Sequence, residues 1–471
     1  MGSRLLKFSE IDYGPPDVRD ASSRTSDFGE IHQDFIIEKA AEQASRCSQC
    51  GIPFCQAHCP LGNHIPDWLQ LAAEGRTQEA YEVSVSTNPM PEVCGRVCPQ
   101  DRLCEGNCVV EKAGFGTVTI GAVERWLTDT AVREGWVEPV RPAAERGQSV
   151  GIVGAGPAGM AAAEKLRRQG YAVTVYDRYD RAGGLMIYGI PNFKLDKAIP
   201  ERRARALAEG GVTFRYNWSL GRDGALADLR EEHDAVLLAF GAYAARRLDT
   251  PGCEESATIP ALEYLTASNR KGLGDAVPDF ESGALDARGK RVVVVGGGDT
   301  AMDCVRTAVR QGAESVTCLY RRDRENMPGS AREVGYAEGE GVVFEWLSAP
   351  ARLNGCEISV QPMALGEAEG GRRRPVPSGD PERVMNADMV IEALGFSPED
   401  AGALGGEETL RINARGCVHA DPKTLETTVP GVFAAGDLVR GPSLVVWALK
   451  DALTASESIA RHLEDMIEVA A

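Results

Sequence analysis

No stretch of this chain stays apolar for long. The longest such run, Ala235 to Ala245, falls well short of the ~18 residues that a membrane span needs. The first residues, Met1-Gly-Ser-Arg-Leu-Leu-Lys7, contain neither an apolar core of signal-peptide length nor a small-residue cleavage site before the polar stretch that follows. The chain is therefore expected in the cytoplasm. A surplus of positive charge is missing too, since 51 Lys and Arg face 69 Asp and Glu for a formal net charge of −18. Long-range attraction to phosphate backbones or anionic lipid has the wrong sign, so neither nucleic acid nor a membrane surface is expected as a partner.

Length, glycine and cysteine are plentiful. The 471 residues are about three domains' worth at roughly 150 residues each. A hydrophobic share of 43% with 25% charged residues is that of a globular protein, and 52 glycines point to many close backbone approaches. Of 13 cysteines, eight fall between Cys47 and Cys108. In a reducing compartment such crowding points to metal or catalysis rather than to disulfides.

The texture of the chain changes at about residue 145. The Pro-rich, charged segment 138–147 reads as a linker. Before it, residues 65–80 and 119–133 show the apolar period of amphipathic helices, with Pro66 suited to a first turn. After it come two strand–glycine–helix starts, Val150-Gly-Ile-Val-Gly-Ala-Gly-Pro-Ala-Gly159 and Arg291-Val-Val-Val-Val-Gly-Gly-Gly-Asp-Thr-Ala301. The downstream stretch Thr428-Val-Pro-Gly-Val-Phe-Ala-Ala-Gly-Asp437 reads as part of the first unit, which places the second unit inside the first. The expected fold class is α/β: two Rossmann-like nucleotide-binding domains, the second inserted in the first, preceded by a mainly α-helical Cys-rich domain. The expected boundaries are 1–145 for the Cys-rich domain, 146–255 with 396–471 for the first nucleotide domain, and 256–395 for the second.

In the first unit Gly154 permits the tight turn, Gly156 lets backbone N–H groups reach a pyrophosphate, and Gly159 allows close packing of helix on strand, with Pro157 and Ala158 opening that helix. The next strand, Ala172-Val-Thr-Val-Tyr-Asp177, ends in a carboxylate suited to ribose hydroxyls, followed by Arg178. Asp177 favours a ribose without a 2′-phosphate. Strand, loop, helix and acid together favour a dinucleotide over a merely structural turn.

The second unit repeats this logic through Gly296, Gly298, Asp299 and Thr300, with Ala301 in place of the third glycine. Its second strand runs into Arg321 and Arg322, guanidiniums where the first unit has a carboxylate. They suit a ribose 2′-phosphate, so NADPH is expected over NADH. The competing reading is a solvated run of Arg321, Arg322 and Arg324; the position at the strand end favours the phosphate.

The cysteines form two quartets, Cys47-x2-Cys50-x4-Cys55-x3-Cys59 and Cys94-x3-Cys98-x5-Cys104-x3-Cys108, each with a Cys-Pro. These resemble the ligand runs of two-cluster ferredoxins, in which the last cysteine of a run crosses to the other cluster. By that resemblance Cys47, Cys50 and Cys55 join Cys108 on one [4Fe–4S] cluster, and Cys59 joins Cys98 and Cys104 on a second. The remaining place falls to Cys94 or to a non-cysteine ligand. Structural zinc also takes four thiolates, but prefers paired Cys-x2-Cys spacings. The isolated Cys253, Cys304, Cys318, Cys356 and Cys417 are expected to be packing residues.

Several segments resemble known families. Arg181-Ala-Gly-Gly184-Leu185 and Ala435-Gly436-Asp437 resemble the FAD-binding disulfide reductases and adrenodoxin reductases, which implies FAD in the first unit. The segments 239–242 and 393–396, the latter with Gly395, match the connections between the two domains of those proteins. Thioredoxin- and glutathione-type reductases need a dithiol beside the flavin, and the sequence after residue 145 has none, so electrons must leave by another route.

The stretches Cys47 to Pro60, Pro91 to Cys108, Gly296 to Arg306 and Tyr320 to Ser330 resemble, over essentially the whole chain, the small (β) subunits of NADPH-dependent bacterial glutamate synthase. They are also similar to the electron-input half of dihydropyrimidine dehydrogenase and to the FAD subunits of ferredoxin:NADP oxidoreductases. The resemblance implies FAD, NADPH and two [4Fe–4S] clusters in a hetero-oligomer. It implies further that hydride passes from NADPH to FAD and that single electrons pass through the clusters to an FMN-containing large (α) subunit. That subunit makes L-glutamate from 2-oxoglutarate and L-glutamine. The opening Met1-Gly2 offers no cysteine for glutamine hydrolysis, which is expected on the large subunit.

The resemblance also assigns residues. Glu124 matches a carboxylate or amide ligand that takes the open place on the second cluster. Asp437 falls on the flavin ribityl chain. Ser443, Leu444 and Val445 lead into a helix whose N-terminus faces the isoalloxazine, where its dipole favours reduced, anionic flavin. Lys194 matches a basic FAD contact. Hydride transfer between stacked rings needs positioning more than proton transfer, so no catalytic acid or base is expected. Two other readings stay in view: the FAD/iron–sulfur subunit of a related ferredoxin:NADP oxidoreductase or other NADPH-dependent electron-transfer complex, and a zinc-stabilised flavoprotein acting as an interaction module.

Overall fold

The computed structural model describes residues 5–253, 258–369, 372–399 and 410–470; the expected boundary between residues 255 and 256 lies outside them. The Cys-rich part is helical, with helices Ile37–Ala44, Ile65–Ala73, Thr77–Thr87, Pro91–Val97 and Ile120–Arg133. Its core is built from Trp68, Leu69, Val123 and Leu127, with Cys47 and Cys108 in the same cluster. The helix expected over 65–80 is in fact two. Gly75, at φ 78, turns the chain after Ala73, and a second helix starts at Thr77, because a left-handed glycine closes a helix. Residues 136–148, which include the expected linker, form neither helix nor strand.

The first nucleotide unit begins with parallel strands β1 (Ser149–Val153), β2 (Ala172–Tyr176), β3 (Thr213–Arg215) and β4 (Ala235–Leu238). The β-branched run of β1 is buried from Val150 onward, as a strand covered on both faces must be. The chain then leaves through β5 (Ala244–Ala245) and enters a second parallel sheet with β6 (Thr258–Pro260), β7 (Arg291–Val295), β8 (Ser315–Tyr320) and β9 (Val343–Trp346). An antiparallel sheet follows, made of β10 (Ser348–Asn354), β11 (Glu357–Glu369), β12 (Arg372–Pro377) and β13 (Arg383–Asn386).

The chain returns by β14 (Met389–Glu392), which pairs with β6 and β7. It leaves by β15 (Phe396–Ser397), antiparallel to β5, and re-enters the first sheet as β16 (Val432–Ala434) beside β4. The sheet orders are β16-β4-β1-β2-β3 and β6-β14-β7-β8-β9. The second Rossmann-like unit is thus inserted in the first.

The final helix, Val445–Ala470, packs Leu449, Ala452 and Ile459 onto the first unit. Met90, Val93 and Cys94 of the Cys-rich part belong to the same core, which beds that part on the first unit. The second unit is tied down by Glu340, a fully buried carboxylate that accepts from Arg306, Arg310 and, from the N-terminal segment, Arg24. Of the isolated cysteines, Cys304, Cys318 and Cys417 are buried and Cys253 is partly so. Cys356 is exposed in the turn between β10 and β11, so the packing expectation fails there.

Candidate functional site

The ends of β1 and β7 build one corner twice. Gly154 has φ 109, and a Cβ there would stand 2.4 Å from the Ala239 carbonyl oxygen; Gly296 has φ 149, with the Ala393 carbonyl oxygen 2.3 Å from such a Cβ. A Cβ on Gly159 would overlap the Gly154 carbonyl at 1.8 Å, so the helix Pro157–Arg168 lies this close to β1 only with glycine at that place. Ala301, fully buried, is the corresponding residue of the second unit. In contrast, nothing stands within 4 Å of a Cβ built on Gly156 or on Gly298. Both border one cleft of about 820 Å³, which leaves room there for a ligand.

That cleft draws on all three parts of the chain. From the first unit it is lined by Gly154, Gly156, Pro157, Ala158, Asp177, Arg178, Leu185 and Lys194, and from the returning segment by Gly436, Asp437, Ser443, Leu444 and Val445. The second unit contributes Gly298, Asp299 and Thr300, and the Cys-rich part contributes Cys98, Pro99 and Arg102. Gly159 stands behind the wall, and a Cβ on Gly184 would meet the Gly156 Cα at 2.8 Å. Gly296, Ala301, Arg321, Arg322 and Gly395 do not line the cleft. Gly395 sits on the return connection, where its carbonyl accepts from the Arg246 amide at 3.1 Å. Trp218, Tyr243, Arg332 and Trp447 also line the cleft, and no loop motif had singled them out.

Its electrostatics divide along the two units. Asp177 accepts from the amides of Ala155 (2.6 Å) and Tyr179 (2.8 Å), which fixes the carboxylate against the first glycine loop. Burial raises its pKa above the usual carboxylate value. Arg178 pairs with Glu399 at 2.6 Å and lies 4.5 Å from the centroid of the Tyr243 ring. Asp437 accepts from the Ser443 amide at 3.1 Å, and burial pushes its carboxyl up to about 7.

Lys194 is neither at the surface nor free. Its Nζ donates to Asp303 at 2.8 Å and approaches Glu333 at 3.6 Å, bridging the first unit to the second. Past the end of β8, Arg324 is paired with Glu338 at 2.6 Å. Arg321 and Arg322 have no carboxylate partner among the described residues, and the buried Nε of Arg322 has no hydrogen-bond partner there. An orphaned guanidinium nitrogen beside an unpaired arginine suits an anion such as a 2′-phosphate.

The cysteines gather in two groups, each drawing on both runs. Cys47, Cys50, Cys55 and Cys108 surround a small cavity of about 20 Å³ whose walls include Pro66, Leu69 and Ile120. Arg46, fully buried, ties the preceding turn to the carbonyls of Ile11, Phe115, Gly116 and Thr117. The second group comprises Cys59, Cys94, Cys98 and Cys104 with Glu124 among them. Burial pushes the thiols of Cys47 and Cys59 up to about 11 and that of Cys55 to about 12.

Thiols so placed ionise only against a strong positive charge, which a metal core supplies. Among the described residues no three Cys, His, Asp or Glu side chains close on one point as a single ion requires. Two groups of mainly cysteine donors, each drawn from both runs, suit thiolate-held metal, [4Fe–4S] clusters included. Glu124 is buried, and burial raises its carboxyl to about 8. Asn63 and Asn88 both donate to its Oε1, at 2.9 and 3.0 Å, and no hydrogen bond among the described residues reaches Oε2. The Cys94 thiol is turned to the Asn88 side-chain carbonyl at 3.7 Å.

Comparison with known proteins matches both halves. The family model described as dihydropyrimidine dehydrogenase domain II, 4Fe-4S cluster, matches residues 24–136, and the pyridine nucleotide-disulphide oxidoreductase model matches residues 148–452. The glutamate synthase [NADPH] small chain of Azospirillum brasilense is 55% identical over 461 residues, covering 97% of this chain and 96% of that protein. The protein of the same name from Escherichia coli (strain K12) is 41% identical over 475 residues, covering 98% of this chain and all of its own. Among solved structures, Mycobacterium tuberculosis FprA in complex with NADPH superposes with a TM-score of 0.59 at 20% identity, covering 69% of this chain and 86% of that one; the likeness is one of fold.

Proposed function

The chain belongs to the family of glutamate synthase [NADPH] small chains and is an NADPH-dependent oxidoreductase; from this we propose that it is the electron-input subunit of a glutamate synthase, working in the cytoplasm with a large (α) subunit. The chemistry that its groups supply when bound is acceptance of a hydride from NADPH at FAD and release of single electrons through two [4Fe–4S] clusters. The observation that carries this reading is the single cleft shared by Gly156, Gly298 and Cys98. A first dinucleotide, a second dinucleotide and a cluster ligand there share one space.

In this reading residues 146–255 and 396–471 hold FAD, 256–395 hold NADPH, and 1–145 hold the clusters. Gly154, Gly156 and Gly159 with Pro157 and Ala158 receive the FAD diphosphate at the end of the helix Pro157–Arg168, and Asp177 and Arg178 hold the adenosine end. Gly184, Leu185, Lys194, Gly436 and Asp437 line the flavin half, with Ser443, Leu444 and Val445 at the N-terminal end of the final helix. Gly296, Gly298, Asp299, Thr300 and Ala301 receive the NADPH diphosphate, Arg321 and Arg322 the 2′-phosphate, and Gly395 shapes the connection behind them. Cys47, Cys50, Cys55 and Cys108 hold one cluster. Cys59, Cys98, Cys104 and Glu124 hold the other, through the Oε2 left open by the two asparagines, with Cys94 remaining a protonated thiol bonded to Asn88.

The test is reconstitution. Mixed with a glutamate synthase large subunit, the protein should support NADPH-dependent formation of L-glutamate from 2-oxoglutarate and L-glutamine. NADPH oxidation coupled only to another acceptor, ferredoxin included, would refute the assignment.

A further inference from the structure

Arg102 lies between Cys98 and Cys104, yet its guanidinium reaches across to the second nucleotide unit. Nη1 donates to the Pro328 carbonyl at 2.6 Å, and Nη2 stands 3.3 Å from Asp299 Oδ2. Asp299 opens the helix Asp299–Gln311, and its other oxygen accepts from the Ser330 amide at 3.0 Å. A carboxylate at this helix end opposes an arriving diphosphate, and a guanidinium beside it offsets that charge.

The Arg102–Asp299 pair is long and wet, with side chains 43% and 38% exposed, and both residues border the cleft. The other paired cations of the cleft are held more tightly: Arg178 to Glu399 at 2.6 Å, Arg96 to Asp129 at 2.7 Å, and Lys194 to Asp303 at 2.8 Å. A solvated pair contributes little, so Arg102 changes partner at small cost.

We propose that Arg102 binds the diphosphate bridge of the nicotinamide nucleotide, exchanging Asp299 for it, so that the iron–sulfur domain supplies part of the NADPH site. The inference rests on the reading of the second unit as that site. It also places a nucleotide contact on the short segment between Cys98 and Cys104.

The experiment uses the full chain with flavin and iron in place, assayed with a soluble one-electron acceptor. Arg102→Gln should raise KM for NADPH and for NADH alike by roughly tenfold or more, with kcat within about twofold and the visible spectrum unchanged. Inhibition by adenosine 2′-monophosphate, which lacks a diphosphate, should not move. Arg102→Lys keeps a point charge without the fork and should show a smaller rise; should the Gln variant lose its flavin, the Lys variant carries the test. An unchanged KM in the variant that retains flavin, or a loss of adenosine 2′-monophosphate inhibition matching the rise in KM, would overturn the proposal. Failure of the underlying reading looks different, for then NADPH would not reduce the flavin of the unaltered protein.

Discussion

At the end of β2 stands a buried carboxylate, Asp177, each of whose oxygens accepts one backbone amide, from Ala155 and from Tyr179. At the end of β8 stand Arg321 and Arg322, with no carboxylate partner among the described residues and an orphaned Nε on Arg322. The scaffolds before these points match: a β-branched strand, a glycine corner under a carbonyl just past the neighbouring strand (Ala239 after β4, Ala393 after β14), and a helix opening on empty space. In the proposed reading, the corner marks a dinucleotide site and the strand end selects which dinucleotide. The first unit engages its charge with its own backbone; the second leaves its charge without a carboxylate partner among the described residues.

The largest effect should come from the corners themselves. Gly154→Val and Gly296→Val each place a side chain against a backbone carbonyl at a φ that valine does not adopt, at a local cost of roughly 3 kcal/mol or more. The first should yield a destabilised protein without flavin. The second should retain flavin, by absorbance, while KM for NADPH rises at least tenfold; loss of flavin in both would break the division of labour.

Replacing Arg321 and Arg322 together with Ala sharpens the contrast at the strand ends. KM for NADPH should rise roughly 10- to 100-fold, as expected for losing charge-assisted hydrogen bonds, while NADH is nearly unaffected. Equal changes for both nucleotides would remove the 2′-phosphate assignment.

The smallest effect concerns Asp437, whose carboxyl burial raises to about 7 from an ordinary 3.8. Between these values the folded, flavin-free protein holds a proton that the unfolded chain has released, so stability present below pH 4 is lost as the pH rises to 7. The melting temperature of flavin-free protein should fall with rising pH by a few degrees more than that of Asp437→Asn. Parallel curves would contradict this.

The glycine corners were legible in the sequence because their constraint is local: a turn within a few residues leaves no space for a side chain. The insertion of one unit in the other was legible for a similar reason, since the segment around β16 is too short to build a unit alone. The family resemblance supplied the crossing of cysteines between the runs. Three features were not legible. The break at Gly75 lies in a helical pattern whose apolar period runs straight through it, and only the backbone angle shows the turn. The pairs Arg178–Glu399 and Lys194–Asp303 join residues far apart in the chain, which no window of sequence contains. The meeting of Cys98 with both glycine loops depends on how the helical part beds onto the first sheet through Met90 and Val93, a packing result rather than a pattern.

In the proposed function paired electrons enter this cleft and leave one at a time. Anaerobically purified protein should contain about eight iron atoms and as many inorganic sulfides per chain, and its spectrum should show broad absorbance beyond that of flavin. Stoichiometric NADPH should then bleach the flavin and, by electron paramagnetic resonance, leave unpaired spin on reduced clusters. Zinc in place of iron, or flavin that bleaches with no spin reaching a cluster, would contradict it.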